Sequence, residues 1–433
     1  MIHTITTKVF GLYVSVICLL AIPDMLIAQS DLSISSKIDS LIQTLDEIVY
    51  EAIDSMAFPG CQIAVAYQDS VIINKSYGHH TYNEAVEVRN NHIYDVASLT
   101  KVTTGLPLLM KLHSNGVIDL DAPIERYLPQ LAKSNKAQLT LREILAHKAR
   151  LIPYIVFWME ALNEDGSFKR RTFKHKPNKK YNIQIADDVY MHRRYHQVMQ
   201  DRIKDSDLIA EEGYRYSGLF FLLLPNLIER LTGGGFIDVL QRELYDPLGL
   251  DRIGYHPLRY VDRAEIVPTE YDSLFRKQLV HGFVHDEAAA MLGTSCNAGI
   301  FSNAEELCKL FMMYQNSGQV KTQSLIDSAT IVEFTRYQYE SEMNRRGLGF
   351  DKPLLDYDAN LAYVAKSASR ASFGHSGFTG TMAWADPEHR IVFIFLSNRV
   401  YPSREQRNIY NLNVRPRLHQ AVYDVFINDA IKE

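Results

Sequence analysis

Tyr94-Asp95-Val96-Ala97-Ser98-Leu99-Thr100-Lys101 decides how the rest of this chain is read. The stretch stands at the start of a helix-like segment and holds the only Ser-x-x-Lys in the sequence. Residues three apart on a helix share a face, so Lys101 can reach the Ser98 hydroxyl. A free serine hydroxyl is a poor nucleophile and needs a neighbouring base. A lysine held in a partly desolvated setting can accept that proton. The helix N-terminus adds backbone N–H groups and a dipole that favours negative charge. Pro107, inside the helix that follows, removes a backbone donor and is expected to kink it.

Outward from this point the chain is mixed. Upstream, Ile38, Leu41, Ile42, Leu45, Ile48, Val49 and Ala52 recur at helical spacing, and Pro59-Gly60 ends that helix. Ile63, Val65 and Tyr67 alternate as a strand, Gln68-Asp69-Ser70 turns, and Val71 to Tyr77 returns as a second strand. The middle is helical in pattern at Leu106–Leu112, Leu141–Ala146, Leu219–Leu231, Phe236–Leu244 and Ala304–Tyr314. The basic stretch from Lys169 to Lys180 is taken as a solvated loop. The end returns to strands at Thr381–Trp384 and Ile391–Leu396, and a helix over Leu418–Ile431 closes the chain. The order α-β-β, helices, β-β-α predicts an α+β fold with one sheet made from both chain ends and a helical region inserted between them. The Leu139 to Leu231 region is expected to stack beside that sheet.

The bulk properties agree with a single large folded unit. The chain has 433 residues, 46% of them hydrophobic. A net charge of -5, mixed in sign along the chain, gives no reason to expect nucleic acid as a partner. Lys8, the apolar run from Val9 to Ile22 and the small residue Ala28 read as a secretory signal peptide over residues 1–28, too short for a comfortable membrane span; the alternative reading is an uncleaved N-terminal anchor. The expected location is periplasmic or secreted, with no stable membrane span after cleavage. Cys61, Cys296 and Cys308 follow the signal segment, with Cys308 read as buried packing, and no Cys/His spacing suggests a zinc site.

Several longer stretches stand in order along the chain. They are Pro59–Val65, Tyr94–Lys101, Gly116–Leu128 with its Leu120-Asp121-Ala122-Pro123, Leu139–His147, Tyr245–Leu250 and Phe373–Thr381. Together they resemble the serine β-lactamase and penicillin-binding protein superfamily, and within it the class C β-lactamase-like group of exported serine hydrolases. The resemblance covers nearly all of residues 30–433. It implies a β-lactamase/transpeptidase-like catalytic domain there, with a sheet region at 30–117 plus 326–433 and a helical region at 118–325. No metal or organic cofactor is expected.

The resemblance also implies roles. Ser98 is the acylated nucleophile and Lys101 its activating partner. Tyr216, in Tyr216-Ser217-Gly218, matches the family's Tyr-x-Asn and relays protons. The Ser98 and Phe378 N–H groups form an oxyanion hole. His375-Ser376-Gly377 matches the family's Lys-Thr-Gly strand and contacts substrate, with Gly377 leaving room for it and His375 either binding a substrate carboxylate when protonated or tuning proton transfer. Gly374-His375-Ser376-Gly377-Phe378 is not a Gly-x-Ser-x-Gly elbow, because Phe378 takes the last glycine's place and a β-type run follows.

Two departures bear on the substrate. Gly218 has no side chain where the family has an amide, and Cys296-Asn297 replaces a familiar histidine loop. The expected activity is acyl-enzyme hydrolysis of D-amino-acid peptides from peptidoglycan, β-lactams or small esters. Gly218 predicts poor turnover of β-lactams beside small activated esters, and a gain in β-lactam acylation for Gly218→Asn where the loop tolerates it. The alternative is a catalytically weak or inactive protein of the same fold that binds cell-wall fragments.

Overall fold

The computed structural model describes residues 34–428. The expected signal peptide at 1–28 and the last residues of the closing helix lie outside them. A helix over 34–54 (α1) leads into β1 (Gly60–Tyr67) and β2 (Ser70–Gly78). Gln68 and Asp69 join these strands with φ of 48° and 66°. Two left-handed residues give a two-residue turn whose twist matches the strands it connects.

Three further strands come from the other end of the chain: β3 (Phe373–Ser376), β4 (Met382–Asp386) and β5 (Ile391–Ser397). All five form one antiparallel sheet in the order β3-β4-β5-β1-β2. The central pairing joins the two chain ends, with Cys61 opposite Ser397 and Tyr67 opposite Ile391. The expected sheet is therefore present.

Period-two alternation sorts the strand residues onto two faces. Ile63, Val65, Trp384, Phe393 and Phe395 pack with Leu41, Leu45 and Val49 of α1 and with Leu418 and Val422 of the closing helix. Ala64, Ala66, Ala383 and Ala385 lie on the opposite face, where small side chains admit a helix closely. That helix runs Ala304–Gln315 and brings Leu307, Leu310 and Phe311 into the same core. It, and not the Leu139 to Leu231 region, lies directly on the sheet. The helix Leu219–Thr232 packs instead on the helix Gly105–Ser114.

The expected loop at Lys169 to Lys180 is different too. Phe173–Lys174, Tyr181–Ala186 and Val189–His192 form a small antiparallel sheet. Phe173, Ile185, Val189 and Met191 are buried, so their burial holds this sheet together. The exposed lysines 176, 179 and 180 lie along the connection between its strands, and exposed Lys174 ends the first of them. No helix among the described residues is long and apolar enough to cross a membrane.

Candidate active site

Asp95 sets the nucleophile's position. One carboxylate oxygen accepts the Ala97 N–H at 2.8 Å, and the other accepts the His285 N–H at 2.6 Å. The first bond closes a tight turn in which Ala97 takes φ +48°, a left-handed conformation that costs a non-glycine residue about 1–2 kcal/mol. Ser98 emerges from this turn as the N-cap of α2 (Leu99–Thr103). Lys101, one turn later, is fully buried and donates to Ser98 Oγ at 3.0 Å and to the Asn297 carbonyl at 2.9 Å.

The expected effect of Pro107 is a break. The chain leaves helical geometry at Thr104 (φ −132°, ψ −90°), and α3 (Gly105–Ser114) starts afresh. A proline ring clashes with the carbonyl four residues earlier, here Thr103. That carbonyl accepts from the Tyr245 hydroxyl at 3.1 Å, and Val102 O accepts from the Tyr314 hydroxyl at 2.7 Å. The helix carrying Ser98 and Lys101 is thus one short turn pinned by two tyrosines.

Tyr216 lies on the other side of Ser98, with its hydroxyl donating to Ser98 Oγ at 3.4 Å. Lys101 Nζ and the Arg346 guanidinium sit 5.5 and 5.8 Å from its ring centre. The His147 ring is 4.5 Å away and the His375 ring 6.0 Å. His147 Nδ1 accepts the Ser217 N–H at 3.3 Å, and burial, reinforced by Arg346, holds its pKa well below the usual imidazole range. Sequence reasoning assigned neither His147 nor Arg346 a role. The conspicuous stretch ending at His147 was a signal; Arg346 stands in a connection with none.

His375 is buried beside the site. Its Nδ1–H donates to Ser376 O at 2.7 Å, and its Nε2 is buried without a partner. Burial, with Arg346 and Lys101 nearby, pushes its pKa down to about 3. Burial thus disfavours the protonated imidazole.

The segment after His375 is tied to the nucleophile's turn. Thr379 Oγ1 donates to Asp95 O at 2.8 Å, and Thr381 Oγ1 donates to Val96 O at 3.0 Å. A Cβ on Gly377 would stand 2.6 Å from Val96 O, so glycine is needed there for the chain itself to pass. Among the described residues, neither the Ser98 N–H nor the Phe378 N–H is engaged by a protein acceptor. Arg399 Nε donates to Phe378 O at 2.8 Å and its guanidinium lies 4.5 Å from the Phe378 ring. The His285 ring stacks on the same ring at 5.6 Å. The Phe378 peptide is thereby held in place.

The two departures, Gly218 and Asn297, turn out to be neighbours. Gly218 is the N-cap of α4 (Leu219–Thr232). Pro225 within α4 has no N–H for the Phe221 carbonyl, which accepts the Cys296 N–H at 3.0 Å instead. This anchors the loop that carries Asn297. Asn297 Nδ2 donates to Asp286 Oδ2 at 3.1 Å, and its side-chain oxygen rests against Gly218.

Comparison with known proteins follows the geometry. A family model described as Beta-lactamase matches residues 38–415. A protein of Salmonella enteritidis PT4 (strain P125109) named "Putative D-alanyl-D-alanine carboxypeptidase" is 25% identical over 387 residues, covering 83% of this chain and 82% of that protein. A penicillin-binding protein homolog from Caulobacter crescentus superposes with a TM-score of 0.63 at 16% identity, over 90% of this chain and 97% of that one. A family VIII carboxylesterase does so with 0.59 at 15%, over 87% and 97%.

Proposed function

This chain belongs to the Beta-lactamase family, a family of serine hydrolases, and from that premise we propose that it hydrolyses acyl compounds through a covalent ester on Ser98. The observation that carries the reading is the convergence on one oxygen: Lys101 Nζ at 3.0 Å and the Tyr216 hydroxyl at 3.4 Å both meet Ser98 Oγ. Ser98 attacks a carbonyl, and the Lys101–Tyr216 pair takes its proton and returns it to the leaving group. The Ser98 and Phe378 N–H groups hold the oxyanion, an arrangement whose members each contribute about 100- to 1,000-fold in rate. Water then releases the acyl group.

The substrate class is D-amino-acid peptides of peptidoglycan, β-lactams or small esters, met in the periplasm or outside the cell after signal cleavage. Ser376 and the neutral His375 line the strand along which substrate lies. Gly218 and Cys296-Asn297 were the features favouring a non-catalytic fragment-binding protein. In the fold they form one feature, with Asn297 set against Gly218. The test is covalent labelling. Ser98→Ala is expected to abolish reaction with a fluorophosphonate probe and a fluorescent penicillin while its circular dichroism stays that of the parent. Labelling that survives, above all at Ser376, overturns the assignment.

A further inference from the structure

We propose that Asn297 supplies the side-chain amide of the substrate site, from the loop opposite Gly218, and that its Oδ1 accepts the N–H of an acylamino substrate. The inference rests on Ser98 being the nucleophile and names the substrate feature that site selects.

Three observations carry it. First, Asn297 belongs to the reacting centre, since Lys101 Nζ bridges Ser98 Oγ and the Asn297 carbonyl. Second, its side chain fills the space that a residue at 218 would use. A Cβ built on Gly218 would collide with Asn297 Oδ1 and lie 3.1 Å from Asn297 Cγ. Gly218 stands two residues after Tyr216, whose hydroxyl meets Ser98 Oγ at 3.4 Å, so this amide lies against the segment that carries the tyrosine.

Third, the amide has a defined orientation. Asp286 Oδ2 accepts from Nδ2, which leaves Oδ1, lying against Gly218, as the remaining acceptor, and no protein donor meets Oδ1 among the described residues. Asp286 is itself fixed, because its other oxygen accepts the Ala289 N–H at 2.7 Å as the cap of the short helix Glu287–Leu292. A half-buried, unpaired amide oxygen on the residue that Lys101 links to the nucleophile is an acceptor waiting for a donor. An N–H on the substrate satisfies it, and an ester oxygen at the same place does not.

This reverses the preference expected from Gly218 alone. It also reverses the expected gain for Gly218→Asn, since the new side chain must displace Asn297.

The experiment compares two nitrophenyl esters that differ at one atom: N-acetylglycine p-nitrophenyl ester and acetoxyacetic acid p-nitrophenyl ester. Each kcat/KM is corrected for the ester's own reactivity with hydroxide. The parent enzyme is expected to favour the amide-bearing ester by about tenfold or more, the usual scale for one unpaired polar group in a closed site. Asn297→Ala keeps the backbone carbonyl that Lys101 uses, yet is expected to bring the ratio close to one. Gly218→Asn alone is expected to lower both rates. Combining Gly218→Asn with Asn297→Ala moves the amide across the gap and is expected to raise the ratio above that of Asn297→Ala. A parent ratio near one, an unchanged ratio in Asn297→Ala, or no recovery in the double variant overturns the inference. Fluorophosphonate labelling is read alongside. Its absence from the parent overturns the Ser98 reading itself, whereas intact labelling with an unchanged ratio overturns only the role of Asn297.

Discussion

Lys101 is the residue with most to lose. It is fully buried, and its Nζ touches the nucleophile and the Asn297 carbonyl, with the Tyr216 and Phe221 rings beside it. Lys101→Ala is expected to slow acylation at saturating probe by about 100-fold or more, the range for a lost general base. Lys101→Arg is expected not to rescue it, because a guanidinium keeps its proton. A rate like the parent's in either variant removes Lys101 from proton transfer. The spacing of Ser98 and Lys101 was legible because one helical turn brings them together. Tyr216 was legible only through its neighbours in the resemblance. The meaning of Gly218 was not legible, since the side chain that fills its space comes from Asn297, in a loop far downstream. Such a contact is visible only when the fold closes.

At the level of elements, prolines shape the site by freeing carbonyls. Pro107 ends α2 and exposes Thr103 O to the Tyr245 hydroxyl; Pro225 opens α4 and gives Phe221 O to Cys296. Tyr245→Phe keeps the ring and removes the only donor described on Thr103 O. It is expected to lower unfolding free energy by about 1–3 kcal/mol, measured by urea titration, as a buried carbonyl loses its partner. An unchanged midpoint would show that the break at Thr104 holds without this bond. Pro107 could be read from sequence as a disturbance, but not which side chain repairs it. The β1–β2 hairpin and β5 were legible because their alternation or apolar run is uninterrupted. The small sheet around Phe173 was missed because its lysine-rich connection dominated the local composition, hiding the alternation of Tyr181, Ile183 and Ile185.

The whole molecule carries several imidazoles that burial keeps neutral. The pKa values of His375 and His419 are pushed down to about 3, and those of His80 and His256 to about 4, in each case first by burial. Each binds its proton more weakly in the folded chain than in the unfolded one. As pH falls below about 6.5, the unfolded chain is protonated first, so folding stability is lost progressively down to the folded values near 3 to 4. The unfolding temperature is therefore expected to drop between pH 7 and pH 5. His419 tests one contribution away from the catalytic cluster, since its Nδ1 accepts the Ala365 N–H at 3.1 Å and its ring stacks on Phe393 at 5.0 Å. His419→Asn can keep the first bond without a titrating group and is expected to show a smaller drop over that interval. Equal drops would acquit His419. The sheet has a different consequence, one of timing. While a ribosome is making this chain, β1 has only β2 for company, and its central partner β5 emerges after all the other strands of the sheet. Until then Ile63 and Val65 have no completed sheet to hold them, and a prematurely terminated chain cannot assemble this core. Synthesis as far as β5 is thus a condition of maturity, and shorter fragments are expected to remain open to proteolysis.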